Sequence, residues 1–254
     1  MNGNPVSLSQ FRTLRTDAWW LQPLLVVLGL GAFAVYATWA ALQNQHYYFA
    51  PYLSPFYSPC LAANCVYGEI RVIGSWWTLS PAFLILWIPG GFRLTCYYYR
   101  KAYYRSFFRS PPACAVRDAG KSYCGEISFP LWLQNFHRYF FYLSFIVLAF
   151  LWWDAIIAFR FPDGIHIGLG TIVLCLNALL LSAFSFSCNS CRHVCGGYLD
   201  SFHKAPGRYK LWQWVTKLNE HHMEWAWVSL IWVAFADVYV RLLSMGVIHD
   251  VRLI

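Results

Sequence analysis

The chain is short of charge. Asp, Glu, Lys and Arg supply 12% of its 254 residues, against 59% apolar and 20% aromatic residues, which excludes a water-soluble domain of ordinary composition. It also lacks the residue-by-residue alternation of an outer-membrane barrel, so the expected fold class is all-α, an integral membrane bundle. No small-residue cleavage site follows a short apolar core near the amino terminus, and no removable signal peptide is expected. Nor is there an internal repeat of the kind many transporters carry.

What is present are stretches of roughly 20 or more apolar residues, each able to cross about 30 Å of hydrocarbon as a helix. Five transmembrane spans are expected, near 23–43, 75–104, 131–158, 165–196 and 218–245, in a single membrane domain over 1–254. All of the 19 basic residues except Arg71, Arg160, Arg241 and Arg252 fall in the amino-terminal leader with Arg12 and Arg15, in 93–138 or in 192–217. The positive-inside rule then puts the amino terminus and both basic loops in the cytoplasm and the carboxyl terminus outside, an inversion that an odd number of spans requires. A formal charge of +8 would suit nucleic acid. The cations sit at membrane exits, however, where topology, anionic lipid and an acidic peripheral partner account for them, and no nucleic acid is expected.

Sulfur and imidazole are unevenly placed. Cys60 and Cys65 lie in the outward loop after span one, on the oxidising side, where a disulfide is the default. In span two, Pro89-Gly90-Gly91 predicts a kink or local unwinding. Beyond it come Arg93, which either snorkels or faces the bundle and needs a partner, and the tyrosine group Tyr97 to Tyr99. Cys114 and Cys124 lie in the long connection 106–130. On a continuous helix turning about 100° per residue, Cys188, Cys191 and Cys195 share one stripe at the end of span four, while His193 falls about 140° round from Cys188. Asn177, eleven residues before Cys188, returns to that face and points it into the bundle. Packing alone would explain a single cysteine; the pair Cys188 and Cys191 suggests a ligand. Span three opens on His137 and span five on His221-His222, of which His222 shares its side with Trp225 and Ser229. Asp237, deeper in span five, is expected to partner a polar group of a neighbouring helix.

Counted from the cytoplasmic ends, Cys96, His137, Cys188, Cys191 and His222 fall within about three turns of one interface. Two haems would need four histidines, and spans one and two have none; one haem b held by His137 and His222 would leave the thiols unused. A 2Fe-2S cluster with two thiolates on one iron and two imidazoles on the other uses Cys188, Cys191, His137 and His222, with His193, Cys96 and Cys114 as second choices. A structural zinc site would take the same donors.

Phe92-Arg93-Leu94-Thr95-Cys96-Tyr97-Tyr98-Tyr99-Arg100-Lys101-Ala102-Tyr103-Tyr104-Arg105, Ser110-Pro111-Pro112-Ala113-Cys114, Gln134-Asn135-Phe136-His137-Arg138-Tyr139-Phe140 and Cys188-Asn189-Ser190-Cys191-Arg192-His193 resemble the membrane-anchor subunit of a respiratory succinate dehydrogenase. The class they resemble has a single haem-free, five-helix anchor with a Rieske-type cluster. The resemblance covers nearly the whole chain. It implies a multi-pass protein of a bacterial plasma membrane, partnered by a flavoprotein and an iron-sulfur subunit on the cytoplasmic face, that passes electrons to a membrane quinone. Lipid surrounds it, and a higher oligomer is compatible with it. A quinone oxygen needs a hydrogen-bond donor and its ring needs aromatic walls; Arg93, Tyr97 and Trp225 are the residues expected to hold it. Two other readings stand beside this one. One is a transporter or channel with Arg93 and Asp237 as pathway charges; the other is a membrane thiol enzyme using Cys191 and His193 as nucleophile and base.

Overall fold

A computed structural model describes residues 13, 15–63, 65, 73–74, 76–118 and 131–253; Arg12, Arg71 and Cys124 lie outside them. Among the described residues, four helices are long and apolar enough to cross a membrane. They are α1 (Leu21–Gln43), Trp132–Ile157 with its α-helical part α4 (His137–Ile157), α5 (Leu169–Phe186) and α8 (His222–Ser244). Two short antiparallel hairpins, β1 (Tyr48–Phe49) with β2 (Tyr52–Leu53) and β3 (Arg160–Phe161) with β4 (Gly164–Ile165), are the only strands among the described residues.

The second of the five expected spans is not one helix. α2 (Phe83–Thr95) has 13 residues, about 20 Å at a 1.5 Å rise per residue and short of a hydrocarbon core. An extended residue, Cys96 (φ −62°, ψ 133°), separates it from α3 (Tyr97–Ser106). The interruption was expected at Pro89-Gly90-Gly91, yet α2 runs through Pro89. Proline removes the bond its N–H would make one turn back and crowds the carbonyl there, yet the helix continues, and Gly91 serves packing, since a Cβ there would run into the ring of Phe140 on α4.

The fourth expected span also divides. α5 stops at Phe186 and α6 (Asn189–Gly196) restarts after Cys188, its extended N-cap (φ −65°, ψ 142°). The fifth begins at His222, because a separate helix α7 (Pro206–Glu220) precedes it, with a proline in its first turn where the missing N–H is no loss.

By packing, the chain forms two compact units: Met1–Ala34 with Arg93–Asn135, and Val35–Phe92 with Phe136–Ile254. In the first, α3 buries Tyr99, Ala102 and Ser106, and Arg15 Nη1 donates to the carbonyl of Cys114 at 2.8 Å. In the second, α5 packs against both α4 and α8 over a core of Tyr52, Val173, Leu174, Ala236, Tyr239, Val240 and Leu243. Cys60 and Cys65 are joined by a disulfide.

The most deeply buried carboxylate of the second unit is answered by a cation. Asp237 and Arg241, 0% and 5% exposed at their side chains, pair at 2.7 Å one turn apart on α8. Tyr36 and Ser54 donate to the carboxylate, and the guanidinium reaches the carbonyls of Gln45 and Ala40 at 3.0 and 2.9 Å. Nearer the chain end, Asp250 accepts from Tyr52 Oη (2.5 Å), Tyr239 Oη (2.7 Å) and the Gly170 amide (3.0 Å), which ties the carboxyl-terminal tail to the start of α5.

Candidate metal centre

The break after α5 makes the site. Ser187 closes α5, its hydroxyl bonding the Phe184 carbonyl at 2.9 Å, and Cys188 turns out of the helix, 2% exposed. Its sulfur accepts from the Ser190 amide at 3.4 Å and meets His137 Nε2 at 3.1 Å.

His137 is the first residue of α4, brought in by a 3₁₀ turn over Leu131–Phe136. Its ring lies flat on Phe92 of α2, with centroids 5.1 Å apart, and bonds the Phe92 backbone. His222 opens α8 in the same way; its ring lies flat on Phe184, 5.1 Å away, and its Nδ1 is 2.7 Å from Ser187 Oγ. Phe92 and Phe184 are themselves in contact at 5.3 Å. The result is a row of four rings with an imidazole at each end, one engaging Cys188 and the other Ser187. Asn219 Nδ2 holds the Ser187 carbonyl at 2.7 Å.

A sulfur and a nitrogen bound to one tetrahedral ion at about 2.3 and 2.05 Å stand roughly 3.5 Å apart. The Cys188 and His137 pair is close to that separation. Each imidazole also has one contact to an outer partner, the backbone of Phe92 or the hydroxyl of Ser187, which is how ligating histidines are oriented. The donor chemistry therefore fits a metal at this pair. It does not extend to four ligands, because no three His, Cys, Asp or Glu side chains converge among the described residues.

Of the expected set, Cys188 and His137 meet, while His222 is turned to Ser187. Cys191 is buried one turn into α6, where burial and then its neighbour Cys195 push its thiol up to about 12. The single stripe of Cys188, Cys191 and Cys195 presupposed a continuous helix, and the break at Cys188 removes that premise. His193 is exposed, with its edge to Tyr198, and His221 is exposed 4.0 Å from Glu224.

The remaining expected residues are placed as follows. In the first unit, Cys96 is buried at the N-cap of α3, in nearly the conformation of Cys188 at α6, and Cys114 is exposed. Arg93 Nη1 donates to Tyr99 Oη at 2.5 Å. Tyr97 is 69% exposed beneath Arg100, whose guanidinium carbon is 4.8 Å from its ring, so the tyrosine engaged by Arg93 is Tyr99. In the second unit, Trp225 lies one turn into α8 with its indole Nε1 buried and no hydrogen-bond acceptor among the described residues. Sequence reasoning missed Ser187, Asn219, Phe92 and Phe184. A serine beside a cysteine at a helix end competes for backbone bonds and was a usable sign; two phenylalanines among 20 were not distinguishable.

Over residues 21–246 the chain matches the family described as actinobacterial succinate dehydrogenase subunit SdhC. Among solved structures it is similar to a chain of the Mycobacterium smegmatis Sdh1 complex in the apo form, with 48% identity and a TM-score of 0.88 over 95% of this chain and 94% of that one. No curated protein matches.

Proposed function

Because the chain belongs to the family of actinobacterial succinate dehydrogenase SdhC subunits, the membrane anchors of that enzyme, we propose that it relays electrons from an iron-sulfur subunit, through a Rieske-type 2Fe-2S cluster, to a quinone in a bacterial plasma membrane. A flavoprotein and an iron-sulfur subunit are the partners, the latter docked on the basic cytoplasmic ends. The observation that carries this reading is the row His137, Phe92, Phe184 and His222, which sets two imidazoles from different helices beside the Ser187-Cys188 break. When bound, such a cluster supplies a one-electron centre whose potential its histidine ligands raise.

The chain's own residues would do the rest. Cys188 presents sulfur from the start of α6, and His137 presents Nε2 while its ring is held to the Phe92 backbone. His222, oriented by Ser187, is the second imidazole and Cys191 the second thiol. Phe92 and Phe184 cover the imidazole faces and keep water from them. For the quinone, the Trp225 indole N–H is a buried donor with no acceptor among the described residues, the kind of group a quinone carbonyl takes up. Arg93, expected in that role, is already bonded to Tyr99.

A structural zinc ion is the second reading, favoured by one observation: Cys188 and His137 stand at the separation of two ligands on one ion, whereas thiolate and imidazole on different irons of a cluster lie further apart. Electron paramagnetic resonance and visible absorption of the purified complex decide between them. A reduced signal of low average g with no Soret band, lost in Cys188→Ala and His137→Ala, is the expected result. A Soret band, or zinc without a paramagnetic signal, overturns it.

A further inference from the structure

We propose that α3 and the turn after it form a binding site for an anionic phospholipid headgroup. Arg100, Lys101 and Arg105, with Tyr97, Tyr104 and Ser110, line a cavity of about 260 Å³, and no carboxylate is among its described lining residues. The sequence builds this cluster directly. Residues three and four apart on a helix are neighbours, so Tyr97, Arg100, Lys101, Tyr104 and Arg105 fall on adjoining turns. Lys101 and Arg105 are four apart, and like charges at that spacing oppose helix formation; a bound phosphate offsets the repulsion. Arg100 is steadied over the Tyr97 ring, and the tyrosine and serine hydroxyls offer neutral donors to the remaining phosphate oxygens.

Apolar side chains at both ends of α3 decide for a lipid over a free anion. Leu94 just before it and Phe107 and Phe108 just after it are 56%, 46% and 55% exposed. Cations beside exposed apolar rings suit the boundary between headgroups and acyl chains, where an anionic lipid satisfies both and a soluble phosphate only the first. Each cation near an anionic lipid surface is worth about fivefold in affinity.

The test is native mass spectrometry of the assembled complex titrated with phosphatidylglycerol, phosphatidylcholine and inorganic phosphate. The expected result is tighter retention of phosphatidylglycerol than phosphatidylcholine, a loss of about 25-fold in Arg100→Gln with Lys101→Gln, and retention in Arg100→Lys. Lys210→Gln with Lys217→Gln on α7 controls for general loss of positive charge and leaves that affinity unchanged. Equal retention of both lipids, inorganic phosphate binding as tightly as the lipid, or an unaffected double variant overturns the proposal. So does a double variant that binds lipid normally but fails to hold the iron-sulfur subunit, which would make the cavity a protein docking surface.

Discussion

Replacing Arg241 by methionine tests the account of buried charge. The guanidinium makes three bonds, to Asp237 at 2.7 Å and to the carbonyls of Gln45 and Ala40 at 3.0 and 2.9 Å. Methionine fills much of the volume but leaves Asp237, with no solvent exposure, supported only by the hydroxyls of Tyr36 and Ser54. Breaking a buried pair from one side costs about 3–5 kcal/mol, so the expected loss of about 4 kcal/mol lowers the folding constant by roughly three powers of ten. Removing both charges in Asp237→Asn with Arg241→Met leaves no uncompensated ion and costs less than the single change. Unfolding of the full chain in mixed micelles titrated with dodecyl sulfate, followed by tryptophan fluorescence, gives all the free energies needed. The reasoning fails if Arg241→Met loses less than about 1 kcal/mol, as a solvent-screened pair would, or if the double variant is the less stable of the two.

Ser187→Ala removes the group that orients His222 and is expected to weaken metal retention by about 10- to 100-fold, as outer-shell changes do; competition with a chelator measures it, and Ser187→Thr should keep the affinity. In metal-free protein at pH 7, maleimide should label exposed Cys114 well before Cys191, as read by peptide mass spectrometry. The Cys191 thiol is raised from an ordinary 9.0 to about 12, so the folded state favours its protonated form; its contribution to stability is intact below about 9 and is lost as pH climbs towards 12. Gly91→Val should cost about 1–3 kcal/mol by forcing Phe140 aside. Gly31→Ala on α1, where a Cβ meets nothing within 4 Å, should be neutral or stabilising; equal effects of the two changes would contradict the packing of α2 on α4.

Much of the scaffold was legible because burial in lipid leaves a gross compositional trace. The long apolar runs that became α1, α4, α5 and α8 stand out by length alone, and the residues that open α4 and α8, His137 and His222, were visible as polar groups at the ends of such runs. The places where helices stop were not. Thr95-Cys96-Tyr97 and Phe186-Ser187-Cys188 contain no glycine or proline, whereas Pro89-Gly90-Gly91, which contains both, stays helical because Gly91 lets α2 lie against Phe140. Local propensity ranks these three sites in the wrong order, since what favours a break or a continuation is contact with another helix.

By itself, then, the sequence determined a mostly helical protein with long apolar helices, and it marked out the sulfur and nitrogen groups at their ends, because hydrophobicity and residue chemistry are properties of each position. Only the tertiary structure decided which donors meet. Cys188 reaches His137 because α5 ends two residues before it, and His222 turns to Ser187 because Phe184 supports its ring. Those are distances between residues 51 and 35 positions apart along the chain, fixed by how α4, α5 and α8 pack and by nothing that any one segment carries.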